Sequence, residues 1–234
     1  MLSAEHLPNG LTLLQDDRFF KLGQDSVLLS AFARIPKRAR VLDLGCGTGA
    51  LALLCWRDDL TITGLELQPG PADLFAQSIA QNKLQNVRVV QGDLREIRHL
   101  LPHASMQYVV CNPPYFASNT GKHAANSAHK TARQDESADL DDILDAIAWV
   151  LPTGGQCSIV FRPERLCPLL SGLASRGFTP KRLRFVHQTA QSAPSAVLVS
   201  AKRGAGDGLI VEPPLLVCRP DGELSDEYRT IYGK

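Results

Sequence analysis

The sequence predicts an α/β fold in which helices cover both faces of a mostly parallel sheet. From residue 40 onward, short apolar runs typical of buried strands alternate with segments of helical periodicity. A glycine-rich turn, GCGTG at 45–49, follows the first of these runs and opens a helix, a common ligand-binding arrangement in α/β sheets. The last two apolar runs have no helix between them, so we expect that pair of strands to be antiparallel.

The individual elements follow from periodicity and from turn residues. Asn9-Gly10 between apolar runs predicts an N-terminal hairpin. The stretch FFKLGQDSVLLSAF becomes helical after Gly23, with Asp25 or Ser26 as the expected N-cap. Strands are predicted at 40–45, 61–66, 87–92, 108–112, 156–161, 181–188 and 195–202, and helices at 50–56, 71–82, 138–151 and 166–177. No linker divides the chain, so residues 1–234 are expected to form one domain.

Composition and charge exclude several classes of protein. With 44% hydrophobic and 21% charged residues, the chain can bury a full core and is not disordered. A net charge of +1 argues against a nucleic-acid binder driven by bulk charge, so local basic patches would have to meet such a partner. The six cysteines form no CxxC pair and no zinc-type cluster, which predicts free thiols, a reducing compartment and no metal. Without a signal peptide or a membrane-length apolar run, we expect a cytoplasmic protein with no membrane partner.

Acidic residues mark the predicted carboxyl ends of three consecutive strands. Asp43 lies in the first strand, Glu66 ends the second, and Asp93 follows the third. Ligands bind at this edge of open parallel sheets, and a carboxylate there can accept two hydrogen bonds from ribose hydroxyls. The G-x-G-x-G spacing is not that of a P-loop. Dinucleotide binding is the second interpretation, weakened because Ala50 stands where G-x-G-x-x-G has its last glycine.

The motifs VLDLGCGTG (41–49), the strand-ending Glu66 and QGDL (91–94) resemble the class I S-adenosylmethionine-dependent methyltransferases. The resemblance implies a Rossmann-like, seven-stranded sheet with a reversed last strand, and S-adenosylmethionine as cofactor. It also implies that Asp43 and 45–49 flank the amino-acid part of the cofactor, that Glu66 holds the ribose hydroxyls, and that Asp93 holds the adenine amino group. The cofactor-binding residues expected from these motifs are Asp43, Gly45, Cys46, Gly47, Gly49, Glu66, Leu67, Asp93, Leu94 and Asn112.

The stretch NPPY at 112–115 ends the fourth predicted strand, at the same edge. An exocyclic aromatic amine is a poor nucleophile because its lone pair is delocalised into the ring. The Asn112 side-chain oxygen and the Pro113 carbonyl can accept both of its N–H bonds, and two prolines in series fix the carbonyl direction in advance. Tyr115 offers a face for a planar base, and Phe116 either does the same or packs inward. The expected catalytic residues are therefore Asn112, Pro113, Pro114 and Tyr115.

The motif resembles motif IV of amino-methyltransferases acting on adenine N6, cytosine N4 or glutamine amides. Glutamine methyltransferases with this motif carry a sizeable helical domain ahead of the glycine loop, whereas only 42 residues precede Asp43 here. The N-terminal stretch FFKLGQDSVLLSAF, together with ARQDE, LPTGGQCSIVFRPERL, KRLRFVH and EPPLLV, resembles the bacterial adenine-N6 methyltransferases of valine tRNA. That family usually has a tyrosine–threonine pair where ELSDEY stands here.

In the family just named, the N-terminal segment closes over the cofactor. Residues 1–38 are therefore expected to form a hairpin-and-helix extension that covers the cofactor. The further cofactor-binding candidates in this extension are Lys21, Gln24, Asp25 and Ser26. For Asp25 and Ser26, plain capping of the helix is an equally good interpretation.

Taken together, these resemblances imply methyl transfer from S-adenosylmethionine to adenine N6 in RNA, with adenosine 37 of a valine tRNA as the expected target. The open alternatives are an N5-glutamine protein methyltransferase, an rRNA or DNA adenine-N6 methyltransferase, and a non-catalytic RNA-binding module. Acid-free basic stretches at 34–40, 117–134 and 176–188 fit an RNA partner. The expected RNA contacts are Phe116, Lys122, His123, His129, Lys130, Arg133, Lys181, Arg182 and Arg184. A monomer or weak dimer is expected.

Overall fold

A hairpin precedes the main sheet in the computed structural model, which describes residues 1–113 and 138–233. The hairpin consists of β1 (Leu2–His6) and β2 (Thr12–Asp16), which pair antiparallel. Gly10 in the connecting turn has a φ of +85°, a left-handed conformation that glycine adopts without steric cost. The hairpin predicted from Asn9-Gly10 is confirmed.

The main sheet has the strand order β10-β8-β9-β7-β6-β3-β4-β5, and β11 also pairs with β8. Its strands are β3 (Arg40–Leu44), β4 (Thr61–Glu66), β5 (Val87–Gln91), β6 (Tyr108–Cys111), β7 (Gln156–Phe161), β8 (Phe178–His187), β9 (Pro194–Arg203), β10 (Ile210–Val211) and β11 (Leu215–Leu216). Strands β3, β4, β5, β6 and β7 are all parallel to one another, whereas β9 runs antiparallel to both of its neighbours, β7 and β8. The expected reversed strand is therefore β9, the last of the seven longer strands.

Two short strands extend the sheet beyond the predicted set. Both β10 and β11 pair parallel with β8, and each is two residues long. Because periodicity needs at least four residues to show alternation, these strands carried no pattern that could be recognised. Pro213 and Pro214 separate the two strands, which is consistent with their shortness because proline cannot donate to a ladder.

The helices in the described residues are α1 (Gln24–Phe32), α2 (Ala50–Leu54), α3 (Pro69–Gln81), α4 (Ile97–Leu100), α5 (Leu140–Val150), α6 (Leu166–Ser175) and α7 (Asp226–Ile231). One prediction about them was wrong. The N-cap of α1 is Gly23, in an extended conformation and without a side-chain hydrogen bond, while Asp25 and Ser26 lie inside the first turn. Helix α5, in contrast, begins with a reciprocal capping box between Asp139 and Asp142.

The core has two parts, one on each face of the sheet. Successive strand residues point to opposite faces, so Val110 joins the part under α1, α2 and α3, while Val109 joins the part under α5 and α6. Phe75 of α3 is fully buried in the first part, and Leu173 of α6 in the second. The predicted layered architecture, with helices on both faces, is confirmed.

The N-terminal hairpin is attached to α3 by specific hydrogen bonds. The backbone N–H of Thr12 donates to the Asn82 side chain at 2.8 Å, and that of Leu14 donates to the Ser78 hydroxyl at 3.0 Å. The chain then crosses toward the carboxyl ends of the parallel strands and enters α1, which packs against α2 and β7. These contacts fix the start of α1 at the edge of the sheet where the predicted site lies.

Candidate active site

The loop between β3 and α2 follows a conformation that its three glycines permit. Gly45, Gly47 and Gly49 all have positive φ, between +55° and +83°. The N–H groups of Gly45 and Cys46 donate to the carbonyl of Leu65 at 2.9 and 3.0 Å, which ties the loop to the end of β4. A Cβ placed on Gly45 or Gly47 would meet nothing within 4 Å, so the backbone there faces open space that a ligand can approach.

Glu66, at the end of β4, is buried and holds two backbone donors. Its Oε2 accepts from the N–H of Gly47 at 2.8 Å, and its Oε1 accepts from the N–H of Gln68 at 2.9 Å. A carboxylate has about four lone-pair sites, so each oxygen can accept one further hydrogen bond. Glu66 therefore fixes the glycine loop while it retains the capacity to bind a pair of hydroxyl groups.

Asp43 lies within β3 beneath the glycine loop, and only 1% of its surface is exposed. Its Oδ2 accepts from the backbone N–H of Ala52, in the first turn of α2, at 2.9 Å. Burial raises the pKa of Asp43 to about 7, and the neighbouring charge of Glu66 adds to this rise. The edge thus contains two buried carboxyl groups that would be stabilised by a cation.

The remaining motif residues at this edge have different surroundings. Asp93, after β5, accepts from the backbone N–H of Arg95 at 2.9 Å and pairs with its guanidinium, which holds the pKa of Asp93 below its usual value. Leu67 is exposed, Leu94 is half-buried, and Cys46 is buried. The exposed leucine directly after Glu66 offers an apolar surface beside the Glu66 carboxylate.

Asn112 and Pro113 lie at the carboxyl end of β6, the strand next to β3. Pro113 is buried and Asn112 is half-buried. The Nδ2 of Asn112 donates to the hydroxyl Oγ of Ser26 in α1 at 3.0 Å. This contact joins the N-terminal extension to a residue predicted to be catalytic.

The other extension residues lie around the start of α1. Lys21 forms an ion pair with Asp17, and Gln24 and Asp25 are half-buried. Burial raises the pKa of Asp25, while the charge of Arg162 opposes this rise. Phe19 packs against the start of α3, where a Cβ on Gly70 would lie 2.4 Å from its ring. The segment before α1 therefore spans from the end of β4 toward the ends of β6 and β7.

Arg162, which directly follows β7 at the same edge, is a candidate site residue that was not predicted from the sequence. The register pairs Cys111 of β6 with Ile159 of β7, so Arg162 lies past the end of β7, at the edge where Asn112 follows β6. The exposed guanidinium of Arg162 donates to the carbonyl of Ser195 at 3.4 Å. Its positive charge also lowers the pKa of Asp25, against the effect of burial. The feature of the sequence that could have identified Arg162 is a cation directly after the fifth predicted strand, 156–161.

The basic residues of β8 occupy a different environment. Lys181 donates to the carbonyls of Gly206 and Asp207, at 3.1 and 2.9 Å. Arg182 pairs with Glu212 at 2.7 Å, and Arg184 forms a bidentate pair with Glu227 at 2.7 Å. Strands β7 and β8 are both antiparallel to β9, so they run in the same direction. Lys181 is near the amino end of β8 and therefore lies away from the carboxyl edge of the sheet. The RNA contacts expected for Lys181, Arg182 and Arg184 stay a prediction. The prediction is weaker because all three side chains already bind groups of the protein itself.

Part of the predicted site falls outside the described residues. The residues concerned are Pro114, Tyr115, Phe116, Lys122, His123, His129, Lys130 and Arg133. Within 1–113 and 138–233, no group of three or more histidine, cysteine, aspartate or glutamate side chains has a metal-binding arrangement. Over the same ranges, no helix combines the length and the apolar character needed to cross a bilayer.

The residues present fit S-adenosylmethionine. This molecule carries two positive groups, an ammonium and a sulfonium, and the edge holds buried carboxyl groups at Asp43 and Glu66. It also carries a ribose with two hydroxyls, for which Glu66 retains acceptor capacity, and a planar adenine. The open backbone at Gly45 and Gly47 leaves room for close approach.

Comparison with known proteins agrees with this fit. A family model described as a methyltransferase domain matches residues 41–135. A curated relative from Photobacterium profundum, named tRNA1(Val) (adenine(37)-N6)-methyltransferase, is 28% identical over 180 residues, which cover 75% of this chain and 74% of the relative.

Solved structures share the fold. A predicted O-methyltransferase from Agrobacterium tumefaciens aligns with a TM-score of 0.73 at 18% identity, covering 89% of this chain and 95% of the other. A 16S rRNA N2 G1207 methyltransferase from Thermus thermophilus, in complex with S-adenosylmethionine and guanosine, aligns with a TM-score of 0.63 at 18% identity, covering 87% of this chain and 50% of the other. The strand order is that of a Rossmann-like methyltransferase fold, residues 41–135 match a methyltransferase domain, and the residues of the carboxyl edge fit S-adenosylmethionine as the cofactor.

Proposed function

We propose that the protein methylates the exocyclic N6 of adenine in RNA, and that adenosine 37 of a valine tRNA is its target. The observation that carries the proposal is the position of Asn112 and Pro113, at the end of the strand adjacent to the glycine loop. An amide and a proline-fixed carbonyl at this place are suited to a planar amino group.

The residues around the glycine loop would hold the cofactor, whose sulfonium supplies an electrophilic methyl group. Asp43 and the loop backbone are proposed to hold its amino-acid part, and Glu66 its ribose hydroxyls. Asp93 is proposed to bind the adenine amino group. To do so, its carboxylate must accept this amino group in addition to the Arg95 guanidinium, or release the guanidinium. The same binding mode assigns Leu67 and Leu94 to the adenine ring.

Asn112 and Pro113 would act on the substrate nitrogen. Their two oxygens accept the two N–H bonds of the target amine and draw the nitrogen away from planarity, so its lone pair becomes available for attack. Because both acceptors are held by the fold before substrate arrives, little reorganisation is needed in the reacting state. The nitrogen loses its proton to solvent or to these acceptors after the methyl group has moved.

An RNA substrate has two lines of support. The Photobacterium profundum relative is named as a tRNA adenine-N6 methyltransferase, and its match extends over three quarters of this chain. Arg162 offers a cation at the same edge of the sheet as Asn112, where we propose that the backbone phosphate of an extruded nucleotide lies. A paired or stacked base has to leave its stack to reach Asn112, and adenosines in single-stranded loops do so at low cost.

The proposal is tested by following the methyl group. The purified protein is incubated with S-adenosylmethionine labelled in its methyl group and with separate tRNA, rRNA, DNA and protein fractions, and N112A serves as the matched inactive control. We expect label in tRNA, with N6-methyladenosine at position 37 found by nucleoside mass spectrometry.

The alternatives give distinct outcomes in the same experiment. Label only in protein would indicate glutamine methylation and would refute an RNA substrate. Label in rRNA or DNA but not in tRNA would be consistent with methylation of adenine N6 but would refute tRNA as the substrate. Binding of RNA with no methyl transfer to any fraction would favour a non-catalytic RNA-binding module.

A further inference from the structure

The side chain of Ser26 makes a contact that neither cofactor binding nor helix capping accounts for. Ser26 is 6% exposed, and its Oγ lies 3.0 Å from the Nδ2 of Asn112, which is 86 residues away in the sequence. The hydrogen bond therefore connects two parts of the chain that meet only in the folded protein. It engages the same amide to which we assign one of the two substrate acceptors.

The amide of Asn112 has two chemically opposite ends. Its oxygen accepts hydrogen bonds and its nitrogen only donates them, so a rotation of 180° about the last side-chain bond exchanges an acceptor for a donor. A target amine presents two N–H donors, which a flipped amide would oppose with donors of its own. When Nδ2 is bound to Ser26, Oδ1 points to the other side of the amide and can face the substrate.

Ser26 is held firmly enough to fix the position of the amide that it contacts. The three residues that follow it in α1, Val27, Leu28 and Leu29, are all buried in the core. The segment before the helix is anchored by Phe19 against the start of α3. A hydroxyl on such a support acts as a fixed partner instead of one that follows the amide as it rotates.

We infer that Ser26 is a positioning residue that holds the side chain of Asn112 in place, with Nδ2 toward α1 and Oδ1 left to face the target amine. This inference rests on the proposed function of Asn112. It gives the N-terminal extension a part in the chemical step, in addition to its expected place over the cofactor.

The inference is tested with S26A, in which the hydroxyl is removed. We expect kcat to fall about 10–100-fold, because a misplaced acceptor loses its alignment with the amine. The KM for RNA and the Kd for S-adenosylmethionine, measured by calorimetry, should stay within about twofold of wild type, and S26T, which keeps the hydroxyl, should recover most of kcat. The matched control is S30A, because the Ser30 hydroxyl on the same helix donates only to the carbonyl of Val27 among the described residues.

Combination with N112A separates positioning from a general structural effect. If Ser26 acts through Asn112, the double variant S26A/N112A should have the same residual rate as N112A, to within about twofold. Independent, multiplying losses would overturn the inference, as would a wild-type kcat in S26A. Weaker cofactor binding at unchanged kcat would favour a direct cofactor contact of Ser26 instead.

The proposed function can fail separately from the inference. If the wild-type protein transfers no methyl group to any RNA, the proposed function is refuted, and the positioning role falls with it. If wild type is active and S26A matches it, only the positioning role is refuted.

Discussion

Replacement of Gly49 by alanine should destabilise the protein through two separable effects. Gly49 has a φ of +83°, where a side chain costs about 1–2 kcal/mol. In addition, its new Cβ would lie 2.0 Å from Cδ2 of Phe75. The Phe75 ring is fully buried, so relief requires a shift in a packed core, at a further cost of about 1–3 kcal/mol.

Gly47 provides the matched comparison, because it isolates the conformational cost. It belongs to the same loop with a φ of +55°, but its Cβ would meet nothing within 4 Å. We therefore expect G49A to lose about 2–5 kcal/mol of unfolding free energy, and G47A to lose only about 1–2 kcal/mol.

The assay is thermal unfolding of both variants and of the wild type, without cofactor. For a chain of this size, 1 kcal/mol corresponds to a shift in Tm of about 2–4 °C. G49A should therefore melt at a lower temperature than G47A by at least about 2 °C. Equal melting temperatures would refute the argument that the Phe75 ring closes off the space above Gly49.

Three further predictions concern charge and reactivity. Since burial raises the pKa of Asp43 to about 7, the unfolded chain binds fewer protons than the folded one between pH 4 and pH 7. The Asp43 contribution to unfolding free energy should therefore fall as pH rises through this window, and D43N should lose that dependence. Among the described cysteines, exposed Cys167 should react with a thiol reagent in the native protein, whereas Cys46, Cys55, Cys111 and Cys157, whose pKa values are raised by burial, should react only after unfolding. R162A should weaken RNA binding and reduce the slope of log K against log salt by about one unit.

Each of these three has a result that would contradict it. A D43N protein with the full pH dependence of wild type would show that Asp43 does not titrate in this window. Fast modification of three or more thiols in the native protein would contradict the buried positions, because only Cys167 and Cys218 are not buried. For Arg162, the comparison is K181A, at the amino end of β8. An equal loss of salt dependence in K181A would support the RNA contact predicted from the sequence and argue against a site confined to the carboxyl edge.

The elements with strong periodic patterns could be predicted from the sequence. The alternation from residue 40 predicted β3 to β7, and the missing helix before residue 195 predicted the antiparallel pair of β8 and β9. The acidic markers also lie at one edge, because parallel strands bring their carboxyl ends together.

What could not be predicted depends on contacts between distant residues. The side chain of Ser26 looked like a helix cap because serine favours that position locally, yet its partner, Asn112, lies far along the chain. The arginines of β8 looked like a free basic patch because their partners Glu212 and Glu227 come later in the sequence. Arg162 was overlooked because a single cation after a strand is common and gains meaning only from the register of β7 against β6.

The attachment of the hairpin to α3 has a consequence for the order in which the protein forms. The bonds from Leu14 to Ser78 and from Thr12 to Asn82 span 64 and 70 residues. During synthesis from the N-terminus, the hairpin emerges well before the helix that holds it, and an isolated two-stranded hairpin is marginally stable. Docking of this first segment must therefore wait for α3, and the hydrogen bond between Ser26 and Asn112 must wait for β6. The hairpin and α1 are therefore made early and reach their native places late, and the site is assembled only after β3 to β6 have been made.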